Sequence, residues 1–341
     1  MKKGSLRRML GIGLSLVLAL GLAGCGGTAP STSETPQGTG QGSSEEKQVK
    51  IGIIQIVEHP ALDAARQGFL DTLKANGYEE GKNLKLVYQN AQNDQSMLNS
   101  IAQQFATSDL DLILAIATPS AQAMASATDE IPILITAVTD PVEAKLVDSM
   151  DKPGGNISGT TDMNPIKEQL DLLKKLVPDA KTVGVIYNAA EVNSEVQVRI
   201  VKEEAPALGL EIVEATVSSS ADVLQAAQSL IGKVNAIYVP TDNMVVSAAQ
   251  SVVQVANENK IPLISGESSV VDAGGLGTIG INYTNLGAQT GEMALRILDG
   301  AKPADMPVEG QKNFDIVLNQ EAIDLLGIEV PADIKSKATI K

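Results

Sequence analysis

Between residues 49 and 138, short apolar runs rich in β-branched side chains alternate with segments of helical spacing. The same alternation restarts at residue 182. In the first set, 49–56, 84–89, 110–117 and 132–138 read as strands, and 60–76, 96–107 and 120–128 as helices. The first helix shows the local logic. Pro60 suits a first turn, Leu62, Ala65, Phe69, Leu70 and Leu73 share one stripe, and Gly77 stops it. Several strand runs lack alternating polarity, as expected of parallel strands covered on both faces. The second set places strands at 182–187, 211–216, 236–239 and 262–264, and helices at 194–208, 221–231 and 244–259. A further helix is expected at 285–298 and a last strand at 314–318. The fold class is therefore α/β, with two similar lobes, each a parallel sheet covered by helices. Gly154, Gly155 and Gly159 surround the point where the chain leaves the first lobe.

Before this pattern begins, Lys2, Lys3, Arg7 and Arg8 precede an apolar run over 9–22 that is too short for an ordinary membrane span. Residues 1–24 read as a secretory signal. The run ends Leu22-Ala23-Gly24-Cys25, and Cys25 is the one cysteine of the chain. It is the expected lipidation site, an unmodified buried cysteine being the alternative. Residues 25–48 are mostly Gly, Ser, Thr, Gln and Pro, the composition of a flexible tether. Roughly 290 residues remain to fold, enough for two domains. The formal charge of −15, or −19 without the four basic residues of the leader, argues against nucleic-acid binding. One Cys and one His exclude an intrachain disulfide and disfavour zinc or triad catalysis.

Ligands of open parallel sheets bind at the carboxyl ends of strands, beside helix N-termini. Four segments match that location. In Gln55-Ile-Val-Glu58-His59-Pro60, Gln55 and Glu58 are the ligand candidates, while His59 reads equally as a helix-entry residue. In Ala117-Thr118-Pro119-Ser120-Ala121, the first-turn N–H groups with Thr118, Ser120 and Ala121 suit an anion, or Thr118 is a plain N-cap. The third and fourth segments supply Tyr187, Glu191, Asn193 and Ser194, then Asp242. Glu191 with Asp242 could receive an ammonium group, Asp242 alone could cap a helix, and Tyr187 and Tyr283 could flank an aromatic side chain. Tyr238, Phe69 and Phe105 read as core. Gly275-x-Gly277-x-x-Gly280 matches a dinucleotide fingerprint, yet residues 281–283 read as extended chain where that motif needs a helix. No P-loop, serine elbow or metal-ligand spacing occurs elsewhere. Neither cofactor, metal nor enzymatic activity is expected.

These segments resemble a family. The Leu22–Cys25 motif, Gln55-x-x-Glu58-His59-Pro60-x-Leu62-Asp63, Ala117-Thr118-Pro119-Ser120, Thr139-Asp140-Pro141-Val142, Gly184-Val-Ile-Tyr187-Asn188-x-x-Glu191-x-Asn193-Ser194 and Pro240-Thr241-Asp242-Asn243 are similar to those of ABC-transporter substrate-binding lipoproteins of the tryptophan/tyrosine-binding type. The resemblance implies a LacI-like periplasmic-binding-protein fold, type I, with three crossovers between lobes. Residues 49–158 with 283–311 would form the N-terminal lobe and 159–282 with 312–341 the C-terminal lobe, hinged near Ser158, Asn282 and Gln311. It implies a monomer held on the extracytoplasmic face by its lipid, binding Trp, Tyr or Phe between closing lobes. Its partners would be an ABC permease and its ATPase. A sensory protein signalling to a membrane partner, or a receptor for another small polar metabolite, is the alternative.

Overall fold

The computed structural model describes residues 48–341. The expected leader, Cys25 and the chain up to residue 47 lie outside the described residues. The first half runs β1 (Val49–Gln55), α1 (Pro60–Ala75), β2 (Leu84–Asn90), α2 (Gln95–Ala106), β3 (Leu112–Ile116), α3 (Thr118–Ala127), β4 (Ile133–Val138) and β5 (Ile157–Thr161). The second half continues with α4 (Ile166–Leu176), β6 (Thr182–Tyr187), α5 (Val192–Glu204), β7 (Glu211–Thr216), α6 (Val223–Ser229) and β8 (Ala236–Val239). Next come α7 (Asn243–Ser247), α8 (Ala249–Glu258), β9 (Leu263–Ser265), α9 (Ser268–Asp272) and β10 (Gly277–Gly280). The chain then returns through α10 (Tyr283–Leu298) and β11 (Glu309–Gly310). It ends on β12 (Asp315–Leu318), α11 (Gln320–Leu326), α12 (Ala332–Lys335) and β13 (Ala338–Ile340).

Two sheets result. One has the order β11-β5-β4-β3-β1-β2, and its strands are parallel throughout. The other has the order β13-β12-β10-β9-β8-β6-β7, parallel apart from the β10–β12 pair. Both faces of each sheet are apolar because helices cover both, which is why the strands read as unbroken apolar runs. Phe69, Phe105 and Tyr238 are fully buried, as core residues should be.

Several local expectations are corrected. Ser158 lies within β5, its hydroxyl donating to the Met306 carbonyl at 2.7 Å, so the first crossing follows Thr161. The helix expected over 244–259 is broken at Ala248 into α7 and α8. Tyr283, expected to be extended, is the first residue of α10, and β12 is followed by a further strand.

The chain crosses between sheets at 162–165, 281–282 and 311–314. Side-chain amides stitch these crossings together. Asn164 Oδ1 accepts from the Ile281 N–H, while Gln311 both accepts from the Asn282 N–H and donates to the Asn282 carbonyl. Helices α1 and α10, whose first residues flank the cleft, pack at unusually close range through glycines. A methyl at Gly287 would lie 1.8 Å from the Ala65 carbonyl oxygen, and one at Gly68 2.1 Å from that of Thr284. The absent side chains let the two backbones touch and so fix His59, just before α1, relative to Tyr283.

Candidate functional site

Carboxyl ends of strands from both sheets converge on one narrow cavity. His59, Leu62, Ala137, Thr139 and Asp162 line it from the first sheet's side and Tyr283 from the start of α10. From the second side come Asn193, Thr241, Asn243, Val246 and Glu267. No lysine or arginine is among these residues, so the lining offers acceptors and carboxylates but no cation.

Its polar residues fall into two bonded groups. At the crossings, Asp162 Oδ1 accepts from Thr139 Oγ1 at 3.1 Å and Oδ2 from the Tyr283 hydroxyl at 2.8 Å. Glu267 caps α9, accepting from the Ser269 N–H at 2.7 Å and from the Ser269 hydroxyl. Burial raises the pKa of both carboxyls above the ordinary range, and raises that of Tyr283 with Asp162 adding to it.

The second group centres on Glu191. Its carboxylate accepts from the side-chain amides of Asn243 at 2.5 Å, Asn193 at 3.2 Å and Asn188 at 3.3 Å. Burial first, and then neighbouring Asp242, push Glu191 up to about 7. His59 faces Asn243 from the opposite side of the cleft, and burial pulls its pKa down to about 4. Polar atoms without a hydrogen-bond partner gather here: His59 Nδ1, Asn193 Oδ1 and Thr241 Oγ1 are all buried and free. Such atoms are costly unless something bonds them, so they mark where a bound molecule would be held.

A third feature adjoins the cavity. β3 and β4 pair with Ile116 opposite Thr136, which sets Ala117 beside cavity-lining Ala137. Both alanines take positive φ, 75° and 56°, a strained backbone of the kind found at functional sites. The turn at Ala117 starts α3, and the buried hydroxyls of Thr118 and Ser120 there have no partner. Thr118 is not the N-cap; Ala117 holds that position, with no side-chain cap bond.

Of the residues expected from sequence, Asn193 and Tyr283 line the cavity, and Thr118 and Ser120 sit at the adjoining helix start. Ala121 is buried below them, its N–H already bonded to the Ala117 carbonyl at 3.1 Å. Glu191 lies behind Asn193 and Asn243 rather than in the cavity. Asp242 and Ser194 are spent within the chain: Asp242 Oδ2 accepts from the Asn188 N–H and the Ser194 hydroxyl, both at 2.6 Å, and Oδ1 from the Val245 N–H at 2.8 Å. Gln55 is bonded to Val57, Asp63 and Arg66, and Glu58 to Tyr88, so the structure brings neither to the cavity. Tyr187 packs in the second lobe's core with its hydroxyl on Glu214. Asp162, Glu267, Thr139, Thr241 and Asn243 were not singled out as site residues. Glu267 follows the end of β9 and Thr139 the end of β4, so the strand-end rule could have found both.

Residues 50–341 match the family model described as ABC transporter substrate binding protein. The "Tyrosine-binding protein" of Clostridioides difficile (strain R20291) is 46% identical over 318 residues, which span 93% of this chain and 92% of that protein. A solved structure from Streptococcus pneumonia, described as an ABC domain in complex with L-Trp, is 37% identical with a TM-score of 0.84. The match covers 86% of this chain and 99% of that one. A ligand-free, open substrate binding protein with adhesive properties from Clostridium difficile is 49% identical over the same shares, with a TM-score of 0.66. The fold is the two-lobed periplasmic-binding-protein type I fold, and the chain belongs to the ABC transporter substrate binding protein family. Membership of that family implies a binding role.

Proposed function

We propose that this protein receives an aromatic amino acid between its two lobes and delivers it to an ABC permease with its ATPase. The observation that carries this is a cavity lined both by carboxylates, Asp162 and Glu267, and by apolar side chains, Leu62 and Val246. Asp162 and Glu267 suit the ammonium, taking the role first expected of Asp242 and Glu191, and a charge-assisted bond there contributes about 1.5–3 kcal/mol. Leu62 and Val246 give the ring apolar surface, and the first turn of α3 suits the carboxylate. The printed names of two relatives, one tyrosine-binding and one complexed with L-Trp, support the same ligand class. The chain matches the L-Trp complex more closely than the open form, although the open form is nearer in sequence.

Calorimetry on refolded, ligand-free protein against the twenty amino acids tests the proposal. Trp, Tyr or Phe should bind and unbranched aliphatic amino acids bind more weakly; absence of binding by any aromatic amino acid overturns it. We further propose that Cys25 carries a lipid anchoring the monomer outside the cytoplasm. Among the described residues no helix is long and apolar enough to cross a membrane. Cys25→Ala should then release folded protein from washed membranes, and full retention would sink the anchor.

A further inference from the structure

We propose that His59 determines specificity within this site by accepting a hydrogen bond from the polar hydrogen of the ligand's ring. The site would then favour phenol- or indole-bearing amino acids over phenylalanine. The inference rests on the aromatic reading above and adds the atom that discriminates among aromatics.

His59 precedes α1 but does not cap it, and only 8% of its surface is exposed. Its tautomer follows from its neighbours. Asn243 donates its amide Nδ2 to the Glu191 carboxylate, which also draws the amides of Asn188 and Asn193. The amide oxygen of Asn243 is what remains for His59, and an oxygen can only accept. With Nδ1 unpartnered, the imidazole proton is assigned to Nε2, the nitrogen left for the Asn243 oxygen. Nδ1 is left as a buried lone pair without a partner. The ring is neutral at neutral pH, since burial holds its pKa at about 4.

What Nδ1 accepts is decided by the rest of the cavity. A ligand ammonium has two carboxylates available, Asp162 and Glu267, and charged acceptors outcompete a neutral imidazole for it. Apolar side chains also lie near His59. Leu62 lies one turn beyond it on α1, and Val246 one turn beyond Asn243 on α7, and both line the cavity. A ring held between those side chains meets His59 Nδ1, a free neutral acceptor like Asn193 Oδ1 and Thr241 Oγ1 in the same cavity. A phenol O–H or indole N–H satisfies it, whereas the edge of phenylalanine leaves it bare.

Because the chain has one histidine, labelling histidine with nitrogen-15 gives a spectrum of His59 alone. The proton should be on Nε2, and the Nδ1 resonance should shift on saturation with tyrosine or tryptophan but not phenylalanine. By calorimetry, wild type should prefer tyrosine or tryptophan over phenylalanine by roughly ten- to hundredfold. In His59→Phe that ratio should fall to within about threefold, and His59→Gln, which restores an acceptor, should keep part of it. A proton on Nδ1, equal wild-type affinity for the three ligands, or an unchanged ratio in His59→Phe each overturns the inference while leaving the aromatic reading intact. Failure of all three ligands to bind wild type overturns that reading itself. Should the variants not fold, the wild-type spectrum and affinity ratio decide.

Discussion

The Tyr283 hydroxyl donates to Asp162 Oδ2 at 2.8 Å, joining the residue that opens α10 to the residue that leaves β5. The bond therefore spans two of the three crossings between the sheets, and both residues line the cavity. One hydrogen bond thus ties the cavity wall to the crossings. Tyr283→Phe removes it and leaves Asp162 Oδ2 buried without that donor, a cost of about 1–3 kcal/mol. The ligand-bound melting temperature should fall more than the ligand-free one, because both residues line the proposed binding cavity. Scanning calorimetry with and without saturating ligand measures both; equal falls would show the bond to be structural only.

Asp242 and Asp162 should separate in their effects. Asp242 satisfies two backbone N–H groups and the Ser194 hydroxyl, and caps α7. Asp242→Ala should therefore cost about 2–4 kcal/mol of folding stability, partly offset by relieving Glu191. Asp162→Asn keeps the shape and removes the charge offered to an ammonium. It should weaken the best ligand by roughly ten- to hundredfold with little loss of ligand-free stability. Urea unfolding and calorimetry on each variant make the comparison, and the opposite pattern would restore Asp242 as the ammonium receiver.

Stability against pH should carry two opposed contributions. Glu191 titrates at about 7 in the fold against 4.5 unperturbed, so the folded state holds its proton more tightly. That contribution is present at acid pH and is lost as pH rises from about 4.5 to about 7. Asp162, Asp242 and Glu267, also raised by burial, act in the same sense. His59 does the reverse. With a folded pKa of about 4 against 6.5, it makes the fold gain stability as pH rises through that window. Glu191→Gln should flatten the fall across the acid range, and His59→Gln should steepen it. Urea midpoints for the two variants and wild type, measured from acid to neutral pH, decide; parallel curves would refute both assignments.

The two-sheet architecture was legible because buried parallel strands leave long apolar runs, and Pro60 and Gly77 bracket α1 as capping physics requires. The site was only half legible. Strand-end logic found Asn193 and the start of α3, but a strand end does not reveal which way a side chain faces. Tyr187 thus turned into the core, where Glu214 on the neighbouring strand holds its hydroxyl. Asp242 and Asn243 are consecutive: the aspartate caps the helix, and the asparagine reaches the cavity. Asp162 lies in a crossing whose local sequence has no periodicity. Its role comes from partners 23 and 121 residues away, a separation no local pattern records.

The hydroxyls of Thr118 and Ser120 offer a test in which stability and binding should move in opposite directions. Both are buried at the start of α3 and have no hydrogen-bond partner among the described residues. Burying such a group costs about 1–3 kcal/mol. Thr118→Val should therefore leave ligand-free stability unchanged or raise it, and Ser120→Ala should cost no more than its small loss of packing. A ligand carboxylate seated on the first turn of α3 would bond to these hydroxyls as well as to the free N–H groups. Each variant should then bind the best amino acid roughly tenfold more weakly, and the double variant weaker still. Ligand-free melting curves and calorimetry on the same preparations give both readouts. Wild-type affinity in the double variant would move the carboxylate away from α3, and a parallel loss of stability and binding would mark the hydroxyls as structural.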